Sequence, residues 1–140
     1  MGATFAGRGS ACSGASTSCT VTLNPTSLVT ATFSKIFTDA TVSAGSTVVQ
    51  ALHVTELQAA IDTLQSRHGL LAFEWIDPTV APGATVLRRV HFTDLRTALT
   101  QAFQAGQTAP TFTDGTITPG VTVIKAIHLK ELRGAVRTLE

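Results

Sequence analysis

The sequence predicts an α+β fold, in which a small N-terminal antiparallel β element precedes a three-repeat, three-helix bundle. Residues 1–35 contain short segments in which Thr and Val alternate, and residues rich in Gly, Ser and Pro separate these segments. This pattern is typical of short strands joined by turns. Residues 36–140 contain one helical pattern three times, at a period of 38 and then 37 residues. Such self-similarity indicates one supersecondary unit used repeatedly. We therefore expect repeats at 36–72, 73–110 and 111–140.

Composition limits both the size of the core and the class of partner. The chain has 140 residues, of which 44% are hydrophobic, and this suffices for one packed domain with an appendage. A formal net charge of +1 gives no long-range field, so we expect no nucleic-acid partner. No apolar run approaches the roughly 18 residues of a membrane span. A charged fraction of 14% leaves a weakly repulsive surface that would tolerate self-association.

In the N-terminal element, Ala3 to Ala6 forms a predicted short strand. Cys19 to Leu23 and Ser27 to Phe33 alternate on either side of Asn24-Pro25, which predicts a hairpin. The cysteines, Cys12 and Cys19, lie seven positions apart in a Gly/Ser-rich loop. A disulfide between them would stabilise the fold by about 2–3 kcal/mol and would indicate an oxidising compartment. Two free thiols are the alternative, and a metal site is less favoured because no His lies near in sequence.

Several segments of the N-terminal element match a known family. They are FAG from Phe5, ACSG from Ala11, CTVT from Cys19 and VTATF from Val29. Residues 3–34 thereby resemble the C-terminal half of a divergent internalin-type B-repeat, a bacterial surface module of β-grasp character. Arg8 departs from the Trp that is usual there, and the first strands of the family are absent. The resemblance implies an incomplete sheet with an open edge, which the helical part or another chain would cover.

Each repeat presents the same signals in the same order: an aromatic-x-Asp turn, a Gly-containing loop, a Thr and then the helical pattern. The Thr residues are predicted N-caps, because a hydroxyl accepts from a free N–H of the first helical turn. They are Thr47, Thr85 and Thr122. The helices are expected to end near Ser66, Gln104 and Leu139, with Gly69 and Gly106 at the C-cap places of the first two.

On a helical wheel each helix carries one apolar stripe. The stripes are Val49, His53, Leu57, Ala60 and Leu64; then Leu87, His91, Leu95, Ala98 and Ala102; and last Ile124, His128, Leu132, Ala135 and Leu139. Leu52, Val90 and Ile127 flank these stripes and are expected to meet the turn segments. Three such helices bury their stripes against one another. We expect a pseudo-threefold bundle, and a short solenoid is the other arrangement that fits.

Each stripe has a His at its middle and an Asp 14 residues earlier, in the aromatic-x-Asp turn. The pairs are Asp39 with His53, Asp77 with His91, and Asp114 with His128. We expect structural His–Asp locks, with the other ring nitrogen bonded to a backbone carbonyl. The alternative is a zinc site on three converging imidazoles, a known ligand set. Because repeats commonly reuse packing devices, we favour the locks and expect neither a metal nor another cofactor.

The other motifs do not form a catalytic set. The sequence has no Gly-x-Ser-x-Gly elbow, no Gly-rich phosphate loop and no paired-cysteine zinc motif, so we expect no enzymatic activity. Arg96 and Arg133, in acid-Leu-Arg tripeptides, are expected to form rim salt bridges of little energetic value. Candidate contacts to a cell-wall polymer are Trp75, Arg88, Arg89 and Lys125.

The third repeat carries the most complete pattern, with Phe112, Asp114, Gly120, His128 and Glu131 to Arg133. The pattern resembles an array found near the ends of large bacterial secreted and surface proteins, and more faintly the S-layer homology domains. The first repeat departs at Gln50 and Gln58, where a basic residue is usual. These resemblances imply an extracellular or cell-surface module that is structural or adhesive. The missing strands and the low surface charge predict that it assembles into a filament through its open β edge. The alternative is a module that binds cell-wall or surface polysaccharide.

Overall fold

The computed structural model describes residues 3–10, 29–103 and 107–140. The chain forms two compact units, Met1–Ile36 together with Glu140, and Phe37–Leu139. The boundary lies one residue after the predicted division between 35 and 36. The second unit contains every part of the three repeats that the structure describes, apart from the first and last residues of the predicted range.

The first unit contains a ribbon of two strands, β1 (Ala3–Ser10) and β2 (Val29–Lys35). They pair antiparallel, with Phe5 opposite Phe33 and an irregularity in register between Phe5 and Gly7. A larger sheet of β-grasp kind is not confirmed, because within the described residues of this unit the sheet has only these two strands. The predicted Cys12–Cys19 disulfide and the strand from Cys19 to Leu23 lie outside the described residues.

The second unit is a three-helix bundle, as predicted. Its helices are α1 (Ala51–Arg67), α2 (Arg89–Ala102) and α3 (Ala126–Leu139). Each helix packs against both of the others, including α1 against α3. In a short solenoid the first and last helices would lie apart, so the bundle is the arrangement that this chain adopts. In the described part of the chain, no helix has the length and apolarity needed to cross a membrane.

The helices begin later than predicted, and the assignment of Thr47, Thr85 and Thr122 as N-caps is wrong. The Thr47 hydroxyl accepts from the N–H of Ser43 at 2.9 Å, and the Thr47 N–H donates to the Ser43 carbonyl at 3.0 Å. Thr85 with Ala81 and Thr122 with Thr118 repeat both bonds. Each Thr therefore closes the Gly-containing loop, and the chain runs on extended before the helix starts four residues later.

The C-terminus of α1 has the predicted glycine. Gly69 adopts φ +68°, a left-handed conformation in which a Cβ would be strained. Its N–H donates to the Ser66 carbonyl at 3.1 Å, and the Leu70 N–H donates to the Gln65 carbonyl at 2.9 Å. These bonds form a Schellman motif, which satisfies carbonyls that the helix leaves free. The predicted end of the second helix at Gln104 to Gly106 lies outside the described residues, and α2 ends at Ala102.

The predicted stripes match the core only in part, because Val49, Leu87 and Ile124 precede the helices and are partly buried against it. The core also contains the residue that follows each His and the one seven positions further on, and all of these are fully buried: Val54, Phe92, Leu129, Ile61, Leu99 and Val136. The flanking residues Leu52 and Ile127 are 39% and 37% exposed, and Val90 is half-buried. Ile127 lines a cavity together with Gly45 of the first loop, and Val90 lines one together with Pro119 of the third loop. The turn segments also contribute Phe37, Val80 and Ile117 to the core.

Candidate functional site: the turn-to-helix network

The structure brings each predicted His–Asp pair together. His53 Nε2 lies 3.0 Å from Asp39 Oδ2, His91 Nε2 lies 2.6 Å from Asp77 Oδ2, and His128 Nε2 lies 3.1 Å from Asp114 Oδ2. The His side chains are buried, whereas the Asp side chains remain between 25% and 49% exposed. Each pair therefore fixes an exposed turn to a buried point on its own helix.

The second ring nitrogen of each His has a different partner from the predicted carbonyl. The N–H of the N-cap residue donates to Nδ1, from Gln50 at 3.1 Å, Arg88 at 3.0 Å and Lys125 at 3.2 Å. Because a backbone N–H can only donate, Nδ1 is the unprotonated acceptor and Nε2 carries the hydrogen that is donated to Asp. The His thus occupies the N3 position of a capping box, where Glu or Gln is usual.

A second acid holds the turn of the same repeat. The Thr38 N–H donates to Glu56 at 3.0 Å, the Ile76 N–H donates to Asp94 at 3.2 Å, and the Thr113 N–H donates to Glu131 at 3.0 Å. These acids lie three residues after each His, one helical turn further along the same face. Each turn is consequently tied to its own helix by two side chains. We call this pair of contacts the turn-to-helix lock.

The conformation of Asp differs between the repeats. Asp39 and Asp114 adopt φ of +52° and +51°, a region that Asp tolerates better than most residues because its short side chain can bond locally. Asp77 has no positive φ, and it precedes Pro78. Proline restricts the conformation of the residue before it, so the second turn reaches the same His–Asp contact by another backbone path.

Each helix also holds the turn of the next repeat, through one side chain that we call the clamp. Arg96 of α2 donates to the carbonyls of Asp114 and Thr113, both at 2.8 Å. Arg133 of α3 donates to the carbonyls of Asp39 and Thr38, at 2.8 and 2.7 Å. Gln58 of α1 makes a single bond, to the Asp77 carbonyl at 3.1 Å.

The clamps close the repeats into a ring. The first helix holds the second turn, the second helix holds the third turn, and the third helix returns to the first turn. The contact between the last and first repeats is thus of the same kind as the contacts between neighbours in sequence. This ring explains why the three repeats form a bundle and do not extend as a stack.

Arg96 and Arg133 are buried and do not lie on the rim as expected, although Arg133 does form an ion pair with Glu56 at 3.6 Å. They are 7% and 4% exposed, and their guanidinium groups lie over the rings of Phe112 and Phe37 at 4.7 and 4.8 Å. Burial lowers the pKa of both groups, although nearby carboxylates oppose this effect. A guanidinium stays charged even so, and its contact with an aromatic face compensates part of the desolvation.

A sequence signal for the clamps exists, although it is easily overlooked. Gln58 precedes Asp77 by 19 residues, and Arg96 precedes Asp114 by 18 residues. The spacing between a basic or amide residue and the next turn is therefore almost as regular as the spacing within the His–Asp pair. The return from Arg133 to Asp39 has no such signal, because it follows from ring closure alone.

Electrostatics strengthen two of the locks. The hydrogen bond from His91, and then that from Arg88, lowers the pKa of Asp77. His128 and then Lys125 lower the pKa of Asp114 in the same way. Arg88 and Lys125 contact these carboxylates from the N-cap position, where repeat one has Gln50.

The three histidines do not form a metal site. Each ring is fully engaged by its own turn and its own N-cap. Within the described ranges, no group of three or more His, Cys, Asp or Glu residues is arranged to hold a metal ion. The zinc alternative therefore finds no convergent ligand set here.

The candidate polymer contacts do not share one environment. The Trp75 indole is half-buried, its Nε1–H donates to Asp62 at 3.1 Å, and its ring lies 4.8 Å from that of Phe73. Arg88, Arg89 and Lys125 are exposed at the N-terminal ends of α2 and α3.

Comparisons with protein-family models, with curated proteins and with solved structures found no match to this chain. The residues and their geometry therefore carry the functional argument.

Proposed function

We propose that this chain is a non-enzymatic structural or adhesive module of a bacterial cell surface, and that it associates with copies of itself. The observation that carries the proposal is the use of the recurring polar residues. His, Asp, Glu and Arg or Gln recur in the repeats, and all of them bind turns to helices. Residues used in this way preserve shape, which is what a structural module requires.

The ribbon of β1 and β2 supports the self-association part of the proposal. In the described part of the first unit, each strand has its partner on one side only. A two-stranded ribbon is marginally stable alone in water, and an open edge is a template for a further strand. We propose that a strand from a second copy completes the sheet, in keeping with the incomplete β-grasp element expected from the sequence. A contact of this head-to-tail kind generates rings or filaments.

Light scattering on the non-reduced full chain tests the proposal directly. The expected result is a mass above 14.6 kDa that increases with concentration. Removal of residues 1–35 should give a monomer whose helical circular dichroism persists, because the clamps all lie within Phe37–Leu139. A full chain that stays monomeric at high concentration, or a shortened chain that still assembles, would count against assembly through the β edge.

The alternative, binding to cell-wall or surface polysaccharide, has less support. Trp75 is the aromatic residue among its candidate contacts, and the indole N–H already donates to Asp62. A Trp75 fluorescence change on addition of wall polysaccharide would revive this alternative.

A further inference from the structure

The repeats are nearly equivalent, so a place where one repeat departs from the others in charge needs its own explanation. On the outer side of α3, the third repeat has Lys130 and Arg137. The equivalent residues of α2 are Thr93 and Thr100, and those of α1 are Thr55 and Asp62. All four are polar, and none of them is positively charged. Neither the locks nor the clamps use Lys130 or Arg137. The Arg137 guanidinium also lies 5.9 Å from the ring centroid of Phe37, beyond the 4.8 Å contact that Arg133 makes with the same ring.

These cations surround a cavity. Its volume is about 280 Å³, and it is lined by Ala40, Thr41 and Val42 of the first turn segment and by Lys130, Arg133, Gly134 and Arg137 of α3. Three of these seven residues are cations, and none is a carboxylate. Gly134 is exposed, and a Cβ at this position would meet no atom within 4 Å, so the space beside it is open.

The charges in the cavity are incompletely neutralised. Lys130 and Arg137 are exposed and form no ion pair in the part of the chain that the structure describes. Arg133 is buried and has Glu56 as its nearest carboxylate, with Nη2 at 3.6 Å from Oε2. Burial is the main cause that lowers the pKa of Arg133, Glu56 and Asp39 oppose it, and Arg137 adds a smaller lowering as one positive charge beside another. An anion beside Lys130 and Arg137 would offset their exposed positive charge.

We propose that this cavity is a binding site for a phosphate group. A phosphate carries a charge of about −1.5 to −2 and has oxygens directed to several sides, so it can accept from donors on different residues. Lys130, Arg137 and the Thr41 hydroxyl offer such donors from α3 and from the first turn segment. A carboxylate has only two oxygens, which lie in one plane, so it fits donors on two different segments less well than a phosphate does.

The bound group is either a free phosphate ion or one phosphate of a phosphodiester polymer. The two ligands differ in length, and so in how many of the cations they contact at once. Lys130 and Arg137 are seven residues apart on one helix, which corresponds to about 10 Å along the axis. A polymer with repeated phosphates could contact both ends of this row. The site does not depend on self-association, because all its residues lie in Phe37–Leu139.

The test uses the full chain and a variant that copies the second repeat. Lys130→Thr with Arg137→Thr places Thr where α2 has Thr93 and Thr100, whose hydroxyls bond to helix carbonyls at 3.0 and 2.7 Å. This variant should fold, and circular dichroism would verify it. The matched control is Arg67→Thr, since Arg67 is an exposed Arg in the last turn of α1.

Amide NMR titrations with inorganic phosphate, poly(glycerol phosphate) and polyglutamate give the readout. We expect saturable shifts around Thr41 and Gly134 with phosphate, weakened at least about tenfold in the double variant and unchanged in the Arg67 control. Tighter binding of poly(glycerol phosphate) would support the site and identify a polymer as its source. The proposal would be overturned if neither inorganic phosphate nor poly(glycerol phosphate) gave saturable shifts. It would also be overturned if polyglutamate bound as tightly as the phosphate probes, or if Arg67→Thr weakened phosphate binding as much as the double variant does.

Discussion

Arg133 Nη1 lies 2.8 Å from the carbonyl oxygen of Asp39, a residue 94 positions earlier in the chain. Through this bond the last helix holds the first turn, and the ring of repeats closes. The same guanidinium stacks on Phe37, which is 2% exposed. One side chain therefore joins the first and last repeats of the bundle.

Arg133→Ala should destabilise the bundle by about 2–3 kcal/mol, because it leaves the carbonyls of Thr38 and Asp39 without their donor. Arg133→Lys should restore only part of this loss, since an ammonium lacks the fork that spans both carbonyls. Urea unfolding followed by circular dichroism measures both changes. Arg67→Ala, at an exposed Arg, is the control with an expected change near zero. Equal costs for Arg133→Ala and the control would refute the clamp.

The second turn offers a test of the repeat logic. Gln58 holds it with one bond, and this turn has Trp75 where the other two turns have Phe. Gln58→Arg together with Trp75→Phe copies the other repeats, and we expect a favourable coupling of about 1 kcal/mol between the two changes. A double-mutant cycle from thermal unfolding measures the coupling. Additive effects of the two single changes would show that Arg and Phe are not a matched pair.

The histidines should tolerate Gln better than Ala. In His128→Gln the amide oxygen can accept from the Lys125 N–H and the helix keeps a capping residue of the usual kind. His128→Ala loses the bonds to both Lys125 and Asp114 and should cost about 2–4 kcal/mol. Urea unfolding compares the two variants, with chelator present and absent. A large loss of stability in chelator for the unchanged chain would instead indicate a bound metal.

Acid should weaken the second and third locks. The pKa values of Asp77 and Asp114 are lowered from 3.8 by their His and cationic partners. A lowered pKa in the folded state contributes stability that is present above the unfolded value and lost as the pH falls through the folded value. We therefore expect the urea concentration at the unfolding midpoint to decrease as the pH is lowered below about 4.

Asp77→Asn with Asp114→Asn keeps an acceptor for each His but removes the titrating carboxylates. This variant should be less stable at neutral pH and should lose less stability on acidification than the unchanged chain. Urea titrations at several pH values measure both effects. If the variant and the unchanged chain lost stability in parallel, these carboxylates would not be the groups responsible.

Two glycines should respond in opposite directions to the same substitution. Gly69→Ala places a Cβ at φ +68° and should cost about 1 kcal/mol. Gly134→Ala lies inside α3 with open space around it and should stabilise the helix by about 0.5–1 kcal/mol. Thermal unfolding of both variants measures the changes. A gain at Gly69 would contradict the left-handed C-terminus of α1.

Much of the helical domain could be predicted from the sequence because its contacts are periodic. The 14-residue spacing from Asp to His identified every pair that the structure brings together. The Thr assignment failed because a hydroxyl that caps a helix and one that closes a loop leave the same pattern in sequence. The clamps were missed because an Arg beside an acid suggests a surface ion pair, whereas Arg133 is buried against an aromatic ring.

The closed ring also restricts how such a domain could have changed in evolution. In an open solenoid, duplication of a unit adds one more layer and leaves every earlier contact intact. Here a chain with one unit deleted or added would still need its last helix to hold the first turn, as Arg133 holds Asp39. Gene duplication could therefore proceed by copying the whole triplet, but addition of a single unit would disrupt it. Copy number in this domain is thus a property of its geometry.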